Sequence, residues 1–502
     1  SLGLVGSEMC IRDRHILDEW AGCCHRLVQS WSNDAQVLIA MAHVWDALAR
    51  SPGAMRVWLA KDQVYALVRD DMLGSLEALP DTVQAPLLRA VVRCVDATRD
   101  GPQASAEHVR SLYYPLIVQA AQARMNAAAL APSPLSIQSA LALWCALAEA
   151  ADPSTSGLVH VHLCTQLPAM TALVSHQAAQ ADVQITAMQA MHALLRAAPD
   201  LDAAVLPDLA RYTFVLLESA HACLGNVRDA DATQESVIVT YLHVVEELVR
   251  ACTEAPMLHT WCLRALEIMA PVLSLDVLRI PSISEALATL IHAMLIILRP
   301  ALFASAEGAE AVPNLAAPFD EPCFTRMPAF QLVVRASLYL IGTCDARTES
   351  VASAVAQGLG YVAEGLPSLT SPCPAVQVVM DDAIRQLCLL VFLRPMQPAM
   401  LTPLILALRR TVLSRLDAHA LGGAETLLPS LAASCHTPAY RAAVEQAMQH
   451  VWESRAPPPV PAPTPVMTAR MQAKAEQAAA LALNRTLRPL VQHARQTLRL
   501  HT

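Results

Sequence analysis

"PAVQVVMDDAIRQLCLLVFLRP", residues 374–395, decides the fold class. Val376, Val379, Met380, Ala383, Ile384, Leu387, Leu390 and Val391 recur at steps of three and four, which traces one face of an α-helix. Pro374 suits a first turn, where its missing N–H is no loss, and Pro395 stops the helix. Outward from this stretch the same design returns in "ESVIVTYLHVVEELVR", residues 235–250. Val237, Tyr241, Val244, Val245 and Leu248 form the stripe. Glu235, Thr240, Glu246, Glu247 and Arg250 fall on the other side, with Glu246 four residues ahead of Arg250 in the favourable order.

Between such stretches stand short breakers: "SPG" at 51–53, "DGP" at 100–102, "APSP" at 131–134, "DPSTSG" at 152–157, "GNVRDAD" at 225–231, "RPMQP" at 394–398 and "SCHTP" at 434–438. Their spacing predicts a helix start about every 20 residues and a helix pair about every 40, the period of HEAT-type repeats. A single pair cannot bury its own apolar face and must stack on its neighbours. The expected fold is an all-α, HEAT/ARM-like α-solenoid of stacked antiparallel helix pairs forming a curved superhelix.

The organisation read from this pattern is a helical array over 15–455, interrupted by an acidic loop at 304–328. A proline-rich linker follows at 456–466, then a basic C-terminal helix at 467–502. That last segment carries Arg470, Lys474, Arg485, Arg488, Arg495 and Arg499 against Glu476, a net +5 on a chain of net −9. Leu481, Leu483, Leu487, Leu490, Val491 and Leu498 give it an apolar set that is costly to leave wet. Arg485, Arg488, Arg495 and Arg499 are the candidate contact residues, either for an acidic partner or for autoregulatory docking on an acidic concave face of the array.

The 502 residues are 54% hydrophobic, 16% charged and 4% aromatic, which excludes a disordered chain. Mean hydropathy is +0.37, yet the most apolar run, Ala286 to Leu298, falls short of the roughly 20 residues a membrane span needs. The acidic balance argues against a general nucleic-acid surface. Lys61 and Lys474 are the only lysines among 35 cationic residues. Cysteines such as Cys94, Cys145, Cys223, Cys262 and Cys388 fall inside helical patterns, as reduced cysteines do when used as small apolar groups. Cytoplasm and nucleus are the expected compartments.

The first 14 residues fit none of this. Leu4 to Asp13, "LVGSEMCIRD", resembles the translation of a sequencing-library transposon adapter and not a protein segment. Residues 1–14 are therefore set aside from fold reasoning, and the natural protein is expected to begin upstream of His15.

Chemistry-bearing motifs are scarce. "HVHLC" places His160, His162 and Cys164 at steps of two, which a helix points in opposed directions, so they cannot share a metal. Cys23–His25 and Cys435–His436 lack zinc-ligand spacing. No nucleophile elbow, P-loop or dinucleotide fingerprint occurs. "GLG" at Gly358–Gly360 reads as a packing feature, and Trp45, Trp58, Trp144 and Trp261 read as core. No enzyme activity, cofactor or metal is expected.

Three stretches, "LEIMAPVLSLDVLRIPSISEALATLIHAMLIILRPAL", "VVMDDAIRQLCLLVFLRP" and "TPAYRAAVEQAMQHVWESR", resemble the irregular helix pairs near the C-terminus of the exportin branch of the importin-β-like karyopherins. They cover about 15% of the chain, and none is a signature motif. The resemblance implies nuclear transport of a protein cargo governed by the Ran GTPase. It also implies that the family's main Ran-binding repeats belong to a missing N-terminal part. A non-transport HEAT scaffold, in vesicle traffic or kinase regulation, is the alternative.

Overall fold

The computed structural model describes residues 16, 19–50, 55, 58–99, 103–151, 157–197, 204–224, 230–253, 258–298, 301–302, 329–343, 348–363, 374–393, 398–417, 427, 431, 437–454 and 465–499. Among these residues the regular structure is helical and no strand is present. The adapter-like segment 1–14, the 304–328 loop and the linker as far as 464 lie outside the described residues.

The helices divide into two compact units, with the boundary after Leu258 apart from the short piece 226–230. The first unit holds α1 (19–31), α2 (Ala35–Leu48), α3 (Asp62–Ala66, running on as a π-helical stretch Leu67–Leu73), α4 (Asp81–Asp96) and α5 (Gln103–Leu130). It continues with α6 (Pro134–Ala150), α7 (Gly157–His176), α8 (Ala181–Arg196), α9 (Leu206–Leu224) and α10 (Ala232–Ala251). The even helices α2, α4, α6, α8 and α10 lie side by side in one layer, and α3, α5, α7 and α9 in a second. From α4 onward, each helix also packs on the next in sequence. Short connections such as 131–133 make consecutive helices antiparallel, so the helices within one layer run parallel. This is the two-layered stacking of an α-solenoid.

Even helices begin at Asp81, Pro134, Ala181 and Ala232, so a pair takes about 50 residues and not the expected 40. Helix length is the reason: α5 has 28 residues, and α7 and α10 have 20 each. The breakers act as caps. Ser133 and Asp231 close capping boxes at α6 and α10, and Asp34 accepts from the N–H groups of Gln36 and Val37 at α2.

The second unit contains α11 (His259–Met269), α12 (Pro281–Ile297), α13 (Ala329–Thr343), α14 (Glu349–Ala363) and α15 (Pro374–Phe392). It ends with α16 (Leu401–Asp417), α17 (Pro438–Glu453) and α18 (Pro465–Arg499). The layering repeats, with α12, α14 and α16 in one layer and α11, α13 and α15 in the other. Residue pairs at the seams are tight. A Cβ on Gly358 of α14 would meet Leu295 of α12 at 3.1 Å, and one on Gly360 would meet Arg410 of α16 at 3.0 Å. The two glycines thus face opposite flanks of α14 and let both neighbours approach.

All eight stripe residues of 374–395 are buried, as are Val237, Tyr241, Val244, Val245 and Leu248. Trp45, Trp58 and Trp144 are core, and the rings of Trp45 and Trp58 lie 4.8 Å apart. The apolar residues of the run in α12 are buried from Ala286 to Leu295, with Thr289 and His292 half-buried and Ile296 exposed. Among the described residues no helix is long and apolar enough to cross a membrane.

Candidate interaction surface

Helix α18 carries the candidate contact residues. Alanines at 475, 478, 479, 480 and 482 favour the helical state, and Pro489 is tolerated on the exposed side. Leu483, Leu487, Val491 and Ala494 form its buried face, which packs on α15, α16 and α17. Leu481 belongs to the other side and is exposed.

Polar contacts fix this docking. Arg409 of α16 is buried, and its Nη2 donates to Glu476 Oε2 at 2.8 Å and to the Ser454 carbonyl at 3.0 Å. Its Nε donates to Ser454 Oγ at 3.1 Å. Arg495 Nε donates to the Val391 carbonyl at 2.7 Å, and its Nη2 to the Leu390 carbonyl at 3.1 Å. Those carbonyls belong to the last turn of α15, where helix geometry leaves oxygens without partners and the dipole favours a cation. Asn484 Nδ2 donates to Thr402 Oγ1 at 3.2 Å.

The four candidate arginines therefore separate. Arg495 holds the end of α15. Arg485 and Arg488 are exposed, and among the described residues neither has an ion-pair partner. The side chain of Arg499 lies outside the described residues. The ion pair that crosses to the body has the opposite polarity to the one expected: the helix supplies the carboxylate, Glu476, and the body supplies the arginine. Sequence reasoning passed over Glu476 because its partner lies 67 residues away.

A second polar array crosses the even layer of the first unit. Asp46 of α2 accepts from Arg93 of α4 at 2.6 Å, and Glu149 of α6 accepts from Arg89 of α4 at 2.5 Å. On α8 and α10, His192 stands 3.7 Å from Glu247. Its ring lies 6.3 Å from that of His243. Burial lowers the pKa of His192, and the nearby His243 and Arg196 add to this, so the imidazole is neutral at pH 7. Burial also raises the Glu247 carboxyl. Glu246 accepts from Arg250 Nη2 at 2.7 Å, the pair expected from the sequence. The C-terminal halves of parallel helices bring these residues into rows, which no local spacing reveals.

The second unit holds a buried charge cluster. Arg415 of α16 is fully buried and grips Asp381 of α15 with two bonds, Nε to Oδ1 at 2.7 Å and Nη2 to Oδ2 at 3.2 Å. Beside it, burial pushes the Asp382 carboxyl up to about 6, while Arg385, Arg335 and a hydrogen bond with Gln386 act in the other direction. Helix α15 is thus enclosed on more sides than its apolar stripe alone implies.

His160, His162 and Cys164 all lie on helix α7, with His160 buried. Among the described residues no group of three His, Cys, Asp or Glu side chains is placed to hold a metal ion. Buried cysteines behave as small apolar groups: burial pushes the Cys24 and Cys145 thiols up to about 12. Cys435 and His436 lie outside the described residues.

No family model matches the chain, and no curated protein does. Among solved structures it is similar to a protein described as a "Circular tandem repeat protein with novel repeat topology and enhanced subunit contact surfaces". The TM-score is 0.34 and identity 12%, over 98% of this chain and 99% of that one. The fold assignment stands on the helix packing itself.

Proposed function

We propose that the chain is a non-catalytic protein-binding scaffold that presents layered helix faces to partner proteins. The observation that carries this reading is the row of polar side chains across α2, α4, α6, α8 and α10. Arg89, Arg93 and Glu149 are half-exposed, at 36%, 43% and 42%, while His192 and Glu247 on α8 and α10 are more enclosed. Exposed pairs of this kind contribute about 0–1 kcal/mol to stability, so folding alone gives little reason for a row of them. Polar and charged groups in register on parallel helices suit recognition of another protein along its length.

The finer reading is a nuclear transport receptor of the exportin type, moving between nucleus and cytoplasm and carrying protein cargo under control of the Ran GTPase. Its support is the resemblance of residues 266–302, 378–395 and 437–455 to exportin C-terminal helix pairs.

The test is affinity capture from cells with the wild-type chain and with Arg89→Glu/Arg93→Glu, each supplied with Ran loaded with GTP or GDP. A scaffold retains a defined partner that the double variant loses while its circular dichroism is unchanged. A transport receptor also shows capture that depends on the Ran nucleotide. Equal capture by both chains overturns the scaffold face. Partner loss without nucleotide dependence removes the transport reading alone.

A further inference from the structure

We propose that the outward side of α18 is a docking surface for an acidic amphipathic helix of a partner protein. The proposal rests on the protein-binding reading and gives it a second place and a defined chemistry. Met471, Lys474, Leu481, Arg485 and Arg488 are all exposed and fall at steps of three, seven, four and three. That spacing puts them on one seam at coiled-coil periodicity. Met471 and Leu481 are 52% and 51% exposed, an unusual use of large apolar groups on a helix that buries other leucines well. The ionised groups on the seam are cations. Glu476, the single carboxylate of the helix, is turned inward onto Arg409.

Charge complementarity selects the occupant. A chain of net −9 does not need a carboxylate-free cationic seam for solubility. A partner helix with carboxylates opposite Lys474, Arg485 and Arg488 and apolar residues over Met471 and Leu481 satisfies both features at once. A nucleic acid would meet the cations and leave the apolar residues uncovered. Arg495 and Arg409 hold α18 in place, so binding pays little to order it.

The test uses the full chain and a fluorescent synthetic helical peptide about three heptads long, Leu at the seam positions and Glu beside them, read by anisotropy. Saturable binding is expected, weakened about tenfold by Arg485→Glu/Arg488→Glu and about threefold by Leu481→Ser. All three positions are exposed, so circular dichroism and melting temperature should not change. Absence of saturable binding overturns the proposal. So does loss in the arginine variant with no effect of Leu481→Ser, which marks a surface for polyanions such as RNA. Either failure leaves the α2–α10 face untouched, since the Arg89→Glu/Arg93→Glu experiment reads that face separately.

Discussion

Asp382 shows how a single residue can work against the fold that contains it. It is 3% exposed, and burial pushes its carboxyl up to about 6, above the usual carboxylate range. A group with a raised folded-state pKa favours folding when protonated. That stabilisation is present below the unfolded pKa and is lost as pH rises through about 6. At pH 7.5 the ionised Asp382 therefore costs the fold on the order of 1–3 kcal/mol. Asp382→Asn mimics the neutral form. It should raise the urea midpoint at pH 7.5, and its advantage over wild type should shrink at pH 5. A variant less stable than wild type at pH 7.5, or a difference independent of pH, would show that the pull of Arg335 and Arg385 outweighs burial. The apolar stripe of residues 374–395 was legible because i, i+3, i+4 repetition is local. The burial of Asp381, Asp382 and Gln386 was not, because it depends on Arg335 and Arg415, which arrive from other helices.

At the scale of elements, α18 shows how one helix is fixed on three others, α15, α16 and α17. The proline-rich stretch before it places its start near 467, and the helix begins at Pro465. Its role was not readable, because Glu476–Arg409 and Arg495–Leu390 join residues far apart in sequence. Removing α18 uncovers the surface that Leu483, Leu487 and Val491 cover, worth roughly 1.5–3 kcal/mol for each side chain. It also leaves the buried Arg409 without Glu476 and frees the last carbonyls of α15. Truncation after residue 464 should therefore destabilise α15, α16 and α17, seen as faster amide hydrogen exchange in those helices. An array that keeps its protection after truncation would favour the other expectation, that the helix docks reversibly and competes with a partner. The seam on the outer side of α18 needs no such release, because it faces solvent while the inner side is docked.

At the scale of the molecule, stability in stacked helices is a sum of local terms, so damage should spread only to near neighbours. The sequence pattern shows no boundary between 15 and 455, because helix periodicity is local and carries no information about how helices group. The division after Leu258 belongs to the packing. Gly358 offers a clean probe of that division. Replacing it with alanine would gain about 1 kcal/mol of helix propensity, but the new Cβ meets the Leu295 side chain at 3.1 Å, so that side chain must shift. Valine adds two methyl groups at the same contact, and overpacking of this kind costs about 1–3 kcal/mol. Gly358→Val should therefore lower stability in the second unit. Hydrogen exchange should quicken in α12, α14 and α16 and stay unchanged in α4, α6 and α8, which belong to the first unit. Equal loss of protection in both sets would mean that the two units unfold as one cooperative block, and the local-sum account of this chain would have to be abandoned.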